Sequence, residues 1–165
     1  MGAEAAPVKR GWAVRRAGFW DPAKAADVVV LDAGDRHRRR IRLQGQSGTD
    51  FLLDLDEVVA LRDGDGIMLD DGGIVLVTGQ PEPLVEIMAR TPLELVRLAW
   101  HLGNRHTDVQ IAGARLRIRR DHVLEEMVAG LGAKVTAVDA PFDPEPAAPH
   151  GHGHEHGQDH GHDHG

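Results

Sequence analysis

Seven of the chain's 11 histidines, His150, His152, His154, His156, His160, His162 and His164, fall within residues 150–165. Neutral imidazole is the commonest protein ligand for divalent transition metals and suits Ni, Cu, Zn and Co. Rings at i, i+2, i+4 and i+6 can gather around one ion, because the interspersed glycines permit the tight turns this needs. Glu155, Asp159 and Asp163 add oxygen ligands and negative charge. The spacing lacks the fixed pattern of a structural zinc site, so it fits loose, multiple and exchangeable binding. The competing reading is a low-complexity tract or a purification tag; tags are usually unbroken histidine runs, and this one is interrupted by Gly, Asp and Glu. Binding here should weaken below about pH 6, since protonated imidazole cannot coordinate. Protonating all 11 histidines would carry the formal charge from −7 to +4.

Four histidines lie in the body. His106, in Leu102-Gly103-Asn104-Arg105-His106, follows the end of an expected helix, in a turn where a side chain can point outward. A loop histidine is ordinarily just solvated, and position alone makes it no ligand. His122 follows Asp121, the expected cap of a second helix; the positive end of the helix dipole disfavours a charged ring there and leaves it free to coordinate. The plain alternative is a tolerated surface histidine. His101 falls in the last turn of the first helix, where a cation is favourable, so helix capping is its better reading. His37 sits in Arg36-His37-Arg38-Arg39-Arg40, among charges that repel a metal, and reads as part of a basic strand edge. No enzyme constellation emerges: there is no Gly-x-Ser-x-Gly and no phosphate loop. Asp54, Asp56 and Glu57 read as a solvated face, and Asp63, Asp65, Asp70 and Asp71 as turn residues without calcium-loop spacing.

Composition narrows the classes further. The 165 residues suffice for one domain or two small ones. Absence of cysteine excludes disulfides, thiolate metal sites and a cysteine nucleophile. Five of the 26 acidic residues lie in 143–165, which holds no Lys or Arg, leaving 21 acidic against 19 basic residues in 1–142. A nearly neutral body with an acidic tail does not suit a phosphate backbone, and 4% aromatics offer no stacking platform, so no nucleic-acid partner is expected. No apolar run reaches the ~20 residues that span a bilayer, and Met1–Trp12 lacks the apolar core of a secretory signal. A cytoplasmic protein without a membrane partner is the expectation.

The elements that must position these histidines read in two blocks. Over residues 1–79, Val28–Leu31, Arg40–Gln44, Phe51–Leu55, Gly66–Leu69 and Ile74–Val77 are strand candidates, the last two joined by the hairpin signal Asp70-Asp71-Gly72-Gly73. Four or five short strands with no convincing helix imply a small sandwich or open barrel. Gln80-Pro81-Glu82-Pro83 reads as a linker. Over residues 80–142, a strand at Leu84–Met88 precedes a strong helix start, with Thr91 as cap, Pro92 at the first position and Glu94 completing a capping box. Leu95, Leu98, Ala99 and Leu102 share one helical face, and Gly103 is placed to end the helix in a left-handed cap. A hairpin around Ala112-Gly113-Ala114 follows. Then comes a helix capped by Asp121, with Val123, Leu124, Met127, Val128 and Leu131 inward and Gly132 as its stop. A last strand covers Lys134–Val138. This β-α-β-β-α-β order is the ferredoxin-like arrangement, giving an α+β protein overall. Residues 143–165 begin with a Pro-rich spacer, and beyond it have too little apolar surface to offset ordering entropy, so a disordered tail is expected there.

Trp100-His101-Leu102-Gly103-Asn104-Arg105-His106, followed by Arg119-Arg120-Asp121-His122-Val123-Leu124 and the His-rich tail, resembles the urease accessory protein UreE family. The resemblance is most specific over 84–142, and the β-rich half is compatible with the family's peptide-binding domain. It implies a homodimeric nickel chaperone, not an enzyme. Such a protein carries Ni(II) as cargo to the urease apoprotein and its accessory complex, including the partner GTPase. Zn(II), Cu(II) or Co(II) are further ions it could bind. The family's metal histidine falls on His106, which meets its mate across the two-fold axis. A later pair of histidines two apart supplies peripheral binding; here the second is His122, but the first position holds Arg120, which cannot ligate. The tail would collect extra ions or complete the shared site. Two other readings compete. One is a transition-metal buffer or store acting through the tail, and the other a metallohydrolase using His106 and His122, for which no general base is evident.

Overall fold

The computed structural model describes residues 7–147; the tail histidines His150 to His164 lie outside the described residues. Six strands build the N-terminal sheet: β1 (Lys9–Arg15), β2 (Asp27–Leu31), β3 (Arg40–Gln44), β4 (Asp50–Asp54), β5 (Gly66–Leu69) and β6 (Ile74–Gly79). Their order is β2-β6-β5-β1-β4-β3. β2 and β3 are the unpaired edges, and the turn after β3 curls the sheet back on itself, with the Gln46 N–H donating to Val28 O at 2.8 Å. Alternating inward residues, among them Val29, Phe51, Leu53, Ile67, Val75 and Val77, form the core.

Five of the six strands follow the sequence pattern. The sixth, β1, does not. It lies inside the sheet, parallel to β4 (Lys9↔Phe51) and antiparallel to β5, with a register shift between Gly11 and Ala13. The segment Lys9-Arg10-Gly11-Trp12-Ala13 shows no clean alternation because of that bulge. Gly11 is there for close approach: a Cβ would stand 2.6 Å from Ile67 Cγ2. Asp27, 4% exposed, ties β2 to the turn after β3, accepting N–H groups from Val28, Ser47 and Thr49. The Ser47 N–H chiefly, with Val28 and Thr49, holds this carboxyl far below the usual carboxylate range, against the opposing effect of burial. Asp65 likewise is no mere turn residue: it is buried and accepts from the N–H groups of Ala17 and Arg62 and from Arg16.

The second sheet comes from β7 (Glu82–Met88), β8 (Gln110–Ala112), β9 (Arg115–Arg119) and β10 (Lys134–Ala140), ordered β10-β7-β9-β8. With α1 (Pro92–Asn104) and α2 (His122–Gly130) the chain order is β-α-β-β-α-β, as the periodicity predicts. The linker expected at 80–83 is shorter: Glu82 and Pro83 already belong to β7, where Pro83 opposes Asp139 at the strand's start and its missing N–H costs little. Leu98 and Leu102 of α1, and Leu124 and Val128 of α2, pack on Val85, Ile87, Leu116 and Ile118. Val123 and Leu131, expected inward, are instead 54% and 42% exposed. The opposite sheet face is charged: Glu86 lies between Arg115 (2.5 Å) and Arg117 (2.9 Å). Burial pushes the Glu86 carboxyl up, and the two guanidiniums more than reverse it, leaving it below its ordinary value.

The segment after β10 departs from expectation within its described part. Phe142 is 1% exposed, Asp143 pairs with Arg36, and the Glu145 N–H donates to Val109 O at 2.8 Å. Residues 141–147 form a strap laid against the body, held by backbone hydrogen bonds that a composition argument does not see.

Candidate metal centre

α1 begins where its cap predicts. Thr91 Oγ1 accepts the Glu94 N–H at 3.1 Å, with Pro92 at the first turn. The reciprocal half of the capping box is displaced by one residue, since Glu94 accepts the Arg90 N–H (3.2 Å) and pairs with its guanidinium (3.0 Å). The other end differs more. Gly103 stays inside the helix, which runs to Asn104, and the cap is Arg105 at φ −87°. The left-handed residue is His106, at φ 54°, the one non-glycine residue with positive φ among those described. Its N–H donates to Gly103 O at 3.1 Å. A side chain in this region costs about 1 kcal/mol or more, and such outliers cluster at functional sites.

The reversal turns the imidazole out of the helix into solvent, where it is exposed. It borders a shallow hollow of about 390 Å³, together with Gly103, Asp108, Glu145 and Ala147. Glu145 and Ala147 of the strap therefore lie beside His106.

The neighbouring surface of α1 is apolar. Leu93, Val96 and Trp100 are 59%, 66% and 64% exposed. Their i, i+3, i+7 spacing lines them up along one stripe, opposite the face that Leu98 and Leu102 bury. Ile111 on β8 is also exposed. The amphipathic reading found the inward face of α1 and missed this second one; Trp100 outside the Leu95-Leu98-Leu102 face was the available signal. His101 follows Trp100 in the last turn of α1, the position expected of it, and the two rings meet edge to face at 5.1 Å.

His122 opens α2 as expected, with Asp121 accepting the N–H groups of Val123 and Leu124. It is exposed and does not line the hollow of His106. Arg120, two residues before it, pairs with Glu125 at 3.2 Å, and a guanidinium has no lone pair to give a metal. His37 does not lie on a strand edge. It closes a 3-10 turn, Asp35–His37, before β3 and donates from Nδ1 to Ala33 O at 3.0 Å, because Asp32 Oδ1 accepts the Asp35 N–H and winds the chain there.

Among the described residues, no three His, Asp or Glu side chains converge as a metal cage. What a divalent cation meets here is one exposed imidazole in a hollow also bordered by the carboxylates of Glu145 and of Asp108, the latter paired with Arg119 at 3.1 Å. A borderline cation suits that donor type, and the site needs further donors from outside the described chain to hold it.

Residues 12–79 match the family described as UreE urease accessory protein, N-terminal domain, and residues 82–165 match its C-terminal domain. The chain is 60% identical over 129 residues to a urease accessory protein UreE of Rhodopseudomonas palustris (strain BisB18), covering 78% of this chain and 61% of the relative. A UreE of Bradyrhizobium sp. (strain ORS 278) is 56% identical over 138 residues, 81% and 65% of the two chains. One of Chelativorans sp. (strain BNC1) is 48% identical over 129 residues, 78% and 82%. The chain thus spans under two thirds of the length of the first two relatives.

Proposed function

Since the chain belongs to the UreE urease accessory protein family, a family of accessory proteins rather than enzymes, we propose that it is a nickel carrier serving urease maturation. Two copies meet along the Leu93-Val96-Trp100 stripe of α1, so that His106 of each contributes one nitrogen to a shared Ni(II). The observation that carries this reading is the left-handed, solvent-directed His106 beside an unburied apolar stripe. It is half of a site, next to a surface that association would cover.

Two imidazoles leave Ni(II) under-coordinated, which suits a protein that must release its cargo. A closed tetrahedral cage would retain it. Donors from His150, His152, His154, His156, His160, His162 and His164 complete the shell or hold further ions, while His122 contributes at most peripherally beside Arg120. Cu(II) outcompetes Ni(II) at such a site by intrinsic preference, so metal supply and the acceptor decide the cargo, with Zn(II) and Co(II) also bound in vitro. The recipients are the urease apoprotein and its accessory complex with the GTPase, in the cytoplasm. No helix among the described residues is long and apolar enough to cross a membrane. The N-terminal β unit, residues 1–79, is the partner-gripping part, and 80–142 the metal-binding and dimerising part.

The density of imidazoles in 150–164 favours one other reading, a metal store acting through that segment. Calorimetry with Ni(II) on the full chain, on a chain ending at Ala147 and on His106→Ala, with mass measured alongside, separates the two. The carrier keeps one ion per two chains after truncation and loses it with His106→Ala. A truncated chain that binds no nickel overturns the carrier.

A further inference from the structure

The two carboxylates that border the hollow of His106 differ in what holds them. Asp108 pairs with Arg119 at 3.1 Å. That guanidinium also pairs with Glu82 at 3.1 Å and stands 4.6 Å from the centroid of the Phe142 ring, so Asp108 faces a fixed cation. The Glu145 carboxylate is exposed and meets no cation or hydrogen-bond donor among the described residues. Its backbone, in contrast, is held closely. Glu145 stands between Pro144 and Pro146, and each proline fixes its own φ and keeps the residue before it extended. Phe142 is 1% exposed, and the Asp143 N–H donates to Gln110 Oε1 at 3.1 Å. The Glu145 N–H itself donates to Val109 O at 2.8 Å. A glutamate serving only to be solvated needs no such anchoring.

The walls of the hollow add to this. Ala99, Val109, Ile111 and Leu116 line it with apolar groups, and a charge acts more strongly beside such walls than in open water. From this arrangement we propose that Glu145 is the oxygen donor this chain adds to His106, and that it sets the choice of ion. An imidazole with a carboxylate suits a borderline divalent cation, whereas a soft monovalent ion such as Cu(I) gains little from a carboxylate oxygen. Two copies bring two nitrogens and two oxygens to one ion, the mixed set that Ni(II) and Cu(II) accept. This rests on the nickel reading above, and every donor it names belongs to the body of the protein.

The test uses the full-length chain with the seven histidines of 150–164 replaced by serine, so that binding reports the body alone. Affinities for Ni(II) and, under reducing conditions, for Cu(I) are measured in about 0.15 M salt, which screens distant charges. Glu145→Gln should weaken Ni(II) about tenfold or more and change Cu(I) less than about twofold. Glu145→Asp, which keeps the donor on a shorter arm, should fall between Glu145→Gln and the parent. Asp108→Asn removes the same charge from the same hollow and should change Ni(II) less than about twofold, because Arg119 already engages that carboxylate. Nickel affinity that ignores Glu145→Gln overturns the proposal. Equal weakening by Asp108→Asn overturns it too, since general charge would then suffice. Parallel loss of Cu(I) shows that Glu145 acts through the fold, and overturns its place on the ion. Nickel binding that ignores His106→Ala overturns the metal reading itself.

Discussion

The two helices leave their last turns in the same way with different residues. α2 ends on Leu131 and then Gly132, at φ 93°, whose N–H donates to Ala129 O. α1 ends on Arg105 and then His106, at φ 54°. Glycine takes this conformation without steric penalty, and histidine does not. Where only chain reversal is needed, the sequence has the residue that backbone sterics favour. Where an imidazole stands, the backbone holds a strained residue, and Gly103, three positions earlier, stays helical. That contrast is what the proposed metal site at the end of α1 draws on.

The largest expected effect comes from removing the imidazole. His106→Ala should weaken nickel binding by the chain ending at Ala147 about 100-fold or more, measured by calorimetry, since loss of a ligand exceeds the 10–100-fold typical of outer-sphere changes. The plain helix end tests the other side of the comparison. Gly132→Ala should destabilise by about 1–2 kcal/mol in chemical denaturation, without changing metal stoichiometry, because Ala is strained at φ 93° and its Cβ would stand 2.5 Å from Arg90 Nη2. His106→Gly sharpens the point. It should lose the metal as His106→Ala does, yet be the more stable of the two by about 1 kcal/mol; equal melting temperatures would remove the strain argument. Acid distinguishes the two halves of the fold from the metal site. Asp27 and Glu86 both have depressed carboxyls, so their stabilisation is complete above the ordinary carboxylate range and disappears as pH falls through it. Metal-free protein should keep its stability from pH 7 to about 5 and lose it below about pH 4, where unfolded carboxyls take up protons first. The smallest effect belongs to His122→Ala, which should change truncated-chain nickel affinity less than about twofold, because that exposed ring does not line the hollow of His106.

Much of this was legible in residue order. Thr91, Pro92 and Asp121 announce helix starts through side-chain chemistry confined to one turn, and such local signals transfer directly to structure. What was not legible depends on distant partners. β1 hides because its neighbours lie more than 40 residues away and a bulge breaks its alternation. The strap hides because its holds are backbone groups meeting Val109 and Arg36, which composition does not report. Gly103 drew the helix stop to the wrong place: glycine tolerates both helix and reversal, and only tertiary structure chooses.

The placement of β1 between β5 and β4 has a consequence for biosynthesis. The first described strand must wait about forty residues for its partner β4 and nearly sixty for its other partner β5. Arg36 waits longer still for Asp143. The N-terminal sheet is thus complete in sequence well before the strap that Arg36 holds has been made.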